Sequence, residues 1–268
     1  MEKAIKSNIK KTFPVLSTYL SYVRARRLIR KKYEDKKIDD LQKYLDQIRR
    51  DGYVIVPNFY TKSECHKIRA LTEDVMTRNS HLIQKLSDDR LFGAEQFDSQ
   101  ILNFHSNKIA SRLASCVNHT ESLPAFTLAG RLSQANSSSG EGWHRDAFYS
   151  QFKAMVYLTD VEETNGPFEI LKGSHRLGNI LKDMKIAKLD FHQYRLENTH
   201  IEALINSRRY TLNPLTGPAG TLIYFDSSAI HRGRPLEQGK RVSLTTYFYE
   251  KSRIGPDLFK QFNIPKEN

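Results

Sequence analysis

The sequence predicts a mainly β protein with flanking helices (α+β), built on a sandwich or jelly-roll core with its helices on the N-terminal side. Three observations carry this. From Ala125 onward apolar residues recur with period two, in short runs separated by Gly, Pro and Asn turns. Before Ala125 they recur every three or four residues, the spacing of amphipathic helices. The aromatic content, 14 Phe and 13 Tyr against 1 Trp, suits a β-rich core. At 268 residues, 39% hydrophobic and 27% charged, the chain can bury one large core. Its composition is unlike that of disordered, coiled-coil, collagen-like and disulfide-scaffold chains. No run of 18 apolar residues reads as membrane-spanning. Cys65 and Cys116 stand alone and far apart, so free buried thiols and a reducing, cytoplasmic location are expected.

The elements follow in order. Residues 1–37 form a basic arm with twelve Lys/Arg and three acids, which leaves 38–268 as a nearly neutral body. Phe13, Leu16, Leu20 and Val23 give the arm helical spacing. It is expected to pack this stripe on the body and solvate its charges. Peripheral contact with an anionic membrane surface is the second reading. Nucleic acid and organellar targeting rank below both. Ile38, Leu41, Leu45 and Ile48 mark a helix ending near Asp51-Gly52, and Tyr53–Val56 a strand at a sheet margin, closed by Pro57. Thr61 and Glu64 form a capping box that opens a helix running to about Arg78. Residues 79–98 read as loop and Ser106–Val117 as helix.

In the β region, Ala125, Thr127, Ala129, Arg131 and Ser133 share one face of a strand. Strands follow at Phe152–Leu158, at Phe168–Leu171 after the Asn165-Gly166-Pro167 turn, at Thr221–Phe225 and at Arg241–Tyr249. Residues 177–210 interrupt the strands as an insert or lid. Segment 172–212 carries eight basic groups against four acids. A solvated face is the first reading of that excess, and an anionic substrate the second.

Chemistry concentrates at His144-Arg145-Asp146. In extended backbone His144 and Asp146 point the same way and Arg145 points oppositely. His231 follows the strand Thr221–Phe225. Two imidazoles and one carboxylate, with positions left open, make the facial triad of non-haem Fe(II) oxygenases. A His-x-Asp alone is weak, because nine histidines and many acids generate such pairs by chance. Arg241 strengthens it. With Ser243 and Thr245 it forms a polar strand face expected to look inward, where a guanidinium grips a carboxylate through two parallel hydrogen bonds. Such a site fits the distal carboxylate of 2-oxoglutarate.

Trp143-His144-Arg145-Asp146, then Asn165-Gly166-Pro167 running into Gly173-Ser174-His175-Arg176-Leu177-Gly178, and His231-Arg232-Gly233 through Arg241-Val242-Ser243 resemble the phytanoyl-CoA dioxygenase family. Asp51-Gly52-Tyr53-Val54-Ile55-Val56-Pro57 resembles its N-terminal part, so the likeness spans roughly residues 50–250. It implies a double-stranded β-helix (cupin-like) core, Fe(II), 2-oxoglutarate as co-substrate, and hydroxylation of an aliphatic C–H bond of a small molecule with release of succinate and CO2. Carried over, His144, Asp146 and His231 would ligate iron, Arg241 would bind 2-oxoglutarate with Ser243 assisting, and Arg131 would add a co-substrate contact. His175 is expected to shape a loop; Trp143 either stacks on substrate or fills core. Lys172 departs from the Pro that relatives often place there, and the presence of Asp146 disfavours halogenation. Alkylated-base dioxygenases share the triad but carry a second Arg six residues after the first, where this chain has Tyr247. A non-turnover binding protein and a membrane-docked protein whose arm is the functional part are the remaining alternatives.

Overall fold

The computed structural model describes residues 40–133, 139–190, 193–207 and 210–265. The basic arm lies outside them, and so do the expectations placed on it. No described helix is long and apolar enough to cross a membrane.

The N-terminal helices form where the apolar spacing puts them. Helix α1 (Gln42–Asp51) buries Leu45 and Ile48 and ends at Gly52, whose φ of 90° is a left-handed cap. Strand β1 (Tyr53–Val56) is the edge of a sheet, as Pro57 suggests. Helix α2 (Lys62–Arg78) opens on the Thr61/Glu64 capping box. The segment expected to be loop instead holds two short strands, β2 (Gln84–Lys85) and β3 (Asp89–Phe92). Two helices follow, α3 (Ser99–His105), which period analysis misses, and α4 (Lys108–Val117).

The β region comprises β4 (Ser122–Leu132), β5 (Ser139–His144), β6 (Phe152–Tyr157), β7 (Phe168–Leu171), β8 (Leu212–Leu215), β9 (Leu222–Asp226), β10 (His231–Gly233) and β11 (Arg241–Glu250). Two helices in the insert, α5 (Leu177–Ile186) and α6 (Asn198–Asn206), precede β8, and α7 (Pro256–Gln261) follows β11. Every strand pairing is antiparallel. A seven-stranded sheet runs β1-β9-β6-β11-β4-β3-β2, and a four-stranded sheet runs β5-β10-β7-β8. This is the expected jelly roll.

The strand alternation divides the core. Ala154, Val156, Leu222, Val242 and Leu244 face the helices, packing on Ile48, Ile68, Met76 and Leu113. Met155, Tyr157, Ile223 and Phe225 face the other sheet and meet Phe168, Ile170 and Leu215. A third cluster lies in the insert, where Ile201, Leu204 and Tyr210 pack around Trp143. Cys65 and Cys116 are both buried and are not bonded to each other.

Candidate active site

His144 closes β5 and His231 opens β10. The antiparallel register sets them directly opposite each other, with ring centroids 4.3 Å apart. Asp146 lies two residues beyond His144. Its Oδ1 is 3.5 Å from His144 Nε2 and 4.0 Å from His231 Nε2. One donor atom from each of the three residues lies within 4.8 Å of the others. Both imidazoles are oriented from behind: His144 Nδ1 donates to Gly142 O and His231 Nδ1 to Ala229 O, each at 2.8 Å. That assigns the proton to Nδ1 and leaves the Nε2 lone pairs facing Asp146. Burial, aided by His144, pushes His231 down to about 3, so it is a neutral donor at working pH. Two imidazoles and a carboxylate on one side of a cavity suit Fe(II), with coordination positions left for other ligands.

Burial alone would raise the Asp146 carboxyl. The Lys153 ammonium leads the opposing effects, and Asp146 is held well below the usual carboxylate range. Lys153 contacts Asp146 Oδ2 and lies 3.8 Å from the centre of the Tyr247 ring. Asp146 in turn holds the buried Lys153 above its ordinary value despite the opposing effect of burial. Lys153 was missed from sequence. The signal was a lysine on the strand face that carries Met155 and Tyr157.

The triad opens into a cavity of about 320 Å³ between the sheets. Its floor is the inward face of the seven-stranded sheet, and strand register sets the rows. Arg241 lies opposite Leu132; Ser243 lies in a row with Gly130 and Tyr157; Thr245 lies with Leu128 and Met155; Tyr247 lies with Phe126 and Lys153. Arg241 is 5% exposed, donates from Nη1 to Gly166 O, and has a buried Nε without a hydrogen-bond partner among the described residues. A buried guanidinium with an unused donor at the end of a polar row fits a carboxylate guest. β3 adds Arg90, in the row of Gly130, where it pairs with Asp88 at 2.7 Å.

Arg131 is placed differently from expectation. It lies in register with Val242, on the face opposite Arg241, and pairs with Asp89 at 2.7 Å. The cavity-facing residues of β4 are Leu128, Gly130 and Leu132. The inward assignment of Arg131 is therefore corrected: both faces of β4 are buried, one by helices and one by the cavity, so burial did not distinguish them. Trp143 fills core, with the Arg232 guanidinium 4.4 Å from its ring centre. His175 Nε2 donates to Arg49 O at 3.1 Å and shapes a loop.

The sequence matches the phytanoyl-CoA dioxygenase (PhyH) family over residues 48–241. The chain belongs to that family. Among curated members, it is 25% identical over 230 residues to L-proline trans-4-hydroxylase of Streptomyces griseoviridis, covering 74% of this chain and 82% of the relative. It is 24% identical over 216 residues to ectoine dioxygenase of Bordetella bronchiseptica, covering 72% and 68%. Among solved structures, EctD from S. alaskensis with bound Fe superposes with a TM-score of 0.62 at 15% identity, covering 84% of each chain. The family assignment and the two-sheet architecture agree.

Proposed function

We infer that the protein is an Fe(II)- and 2-oxoglutarate-dependent dioxygenase that hydroxylates an aliphatic C–H bond of a small organic substrate, releasing succinate and CO2. One observation carries the reading: His144, Asp146 and His231 converge within 4.8 Å on a cavity that also holds the buried Arg241. His144 Nε2, His231 Nε2 and Asp146 Oδ1 would hold the iron. Bound iron supplies the activation of dioxygen that couples decarboxylation of 2-oxoglutarate to C–H oxidation. The chain's own residues bind and orient. Arg241 receives the distal carboxylate of 2-oxoglutarate through its fork, and the Ser243 hydroxyl donates from the same strand face. Lys153 keeps Asp146 ionised and occupies the oxygen that faces away from the imidazoles. The sheets exclude bulk water from the reacting centre.

The named activities of the relatives are a hydroxylation of proline and a dioxygenation of ectoine, both small molecules. A small substrate fits a cavity of about 320 Å³. Arg195 at the cavity wall, where Arg90 is already paired with Asp88, supports an anionic substrate. The test is succinate release over a panel of small carboxylates, amino acids and neutral analogues. Substrate-dependent succinate with one equivalent of hydroxylated product is expected. No succinate above a His231→Ala control across the panel, and none in its absence, would favour the non-turnover reading.

A further inference from the structure

Arg145 separates two of the three candidate ligands, and its side chain runs the opposite way from theirs, into the protein. It is 3% exposed. Nη1 donates to Ser174 O at 2.7 Å and to Ser228 O at 2.5 Å, while Nη2 donates to Asp183 Oδ2 at 2.7 Å. Asp183, fully buried on α5 of the insert, also accepts the Tyr210 hydroxyl at 2.7 Å. Ser174 completes the link, because its Oγ accepts from the N–H of Ile230, the residue before His231, at 2.8 Å. The insert also zips onto the backbone beside the ligands: Arg145 N donates to Tyr194 O at 2.8 Å and Leu196 N to Trp143 O at 2.9 Å.

We propose that Arg145 is the positioning residue of the metal site, a strut that sets the His144–Asp146 segment, the loop leading to His231 and the insert helix α5 in one geometry. The proposal rests on the metal reading above. A guanidinium suits the task because its rigid fork serves three acceptors in different directions, which a lysine ammonium on a flexible stem does not reproduce. It also gives the Gly173-Ser174-His175 motif a physical role: Ser174 bridges the strut to the backbone beside His231. The insert then acts as a structural wall of the site rather than as a freely swinging cover. Metal loading and insert order are therefore coupled, and the coupling is reciprocal.

The test uses the full chain, freed of metal and titrated with Co(II), whose visible band reports coordination number and geometry. Wild type binds one equivalent. Arg145→Lys, which keeps the charge and loses the fork, and Asp183→Asn, which keeps the shape and loses the charge, are expected to bind about 10-fold or more weakly, with an altered band. Met76→Ala, a cavity in the helix-facing core, is the stability-matched control and keeps the wild-type band. In wild type, Co(II) with 2-oxoglutarate should slow amide exchange across Leu177–Ile186, a readout that needs no variant. Wild-type affinity and band in folded Arg145→Lys and Asp183→Asn would overturn the strut, as would equal loss in Met76→Ala or unchanged exchange in the insert. Absence of any Co(II) band in wild type would instead overturn the metal reading, and this proposal with it.

Discussion

At the scale of single residues, the site is a problem of charge placed in a low dielectric. Asp146 and Lys153 compensate each other across the cavity floor, and removing one partner strands the other. Lys153→Met should therefore destabilise the metal-free protein by about 3 kcal/mol, read as a lower urea midpoint in chelator. On the proposed reading, Arg241→Gln would remove two charge-assisted hydrogen bonds to the co-substrate. The 2-oxoglutarate needed for half-saturation should rise about 100-fold, or ~3 kcal/mol, with Fe(II) affinity little changed. A similar rise in the Fe(II) requirement would place Arg241 in a different role. Period two made His144 with Asp146, and Arg241 with Ser243, legible as residues sharing a strand face, and His231 was marked by its place after the strand Thr221–Phe225; all five line the cavity. Arg131 was misplaced because β4 is buried on both faces, and only its pairing with β11 decides which face looks inward.

At the scale of elements, local chemistry marks helix ends better than it marks short strands. The capping box starts α2 where Thr61 and Glu64 say it should, with Glu64 N donating to Thr61 Oγ1 at 3.2 Å and Thr61 N to Glu64 Oε2 at 2.7 Å. Gly52 ends α1 and is required twice. Its φ is +90°, and a Cβ there would approach His175 Nδ1 to 2.8 Å. Gly52→Ala should cost about 2 kcal/mol in thermal or urea unfolding, from backbone strain and the displaced imidazole together. A neutral result would mean the loop carrying His175 yields freely. Strands β2 and β3 were illegible because they have two and four residues with no alternation of their own; β3 is ordered by pairing with β4, and β2 by pairing with β3. The cost of that miss was Arg90, which only the pairing of β3 brings to the cavity wall.

At the scale of the whole molecule, the jelly roll was legible from strand spacing, but the contribution of the insert was not. Its tie to the site runs through Arg145 and Asp183, 38 residues apart, and no local pattern announces such a pair. Stability should also depend on pH through buried histidines. Burial pushes His105 down to about 4 from its ordinary 6.5, while its Nδ1 lies 3.1 Å from Thr127 Oγ1. A depressed histidine contributes stability that is complete above about pH 6.5 and is lost as pH falls towards 4, since the unfolded chain takes up the proton first. The metal-free protein should lose about 2 kcal/mol on this account by pH 5, and His105→Asn should remove that part of the slope. An unchanged slope would locate the titration elsewhere, His231 and His175 being the other imidazoles that burial depresses.

The central claim is that three side chains and one guanidinium assemble a single iron and 2-oxoglutarate site. It is tested most directly by adding Fe(II) and then 2-oxoglutarate to the metal-free protein without oxygen, and recording visible absorbance. A charge-transfer band that saturates at one iron and one 2-oxoglutarate per chain is expected, abolished in His231→Ala and shifted to much higher 2-oxoglutarate in Arg241→Gln. A colourless wild-type protein at saturating concentrations of both, or a band that survives His231→Ala unchanged, would contradict the claim.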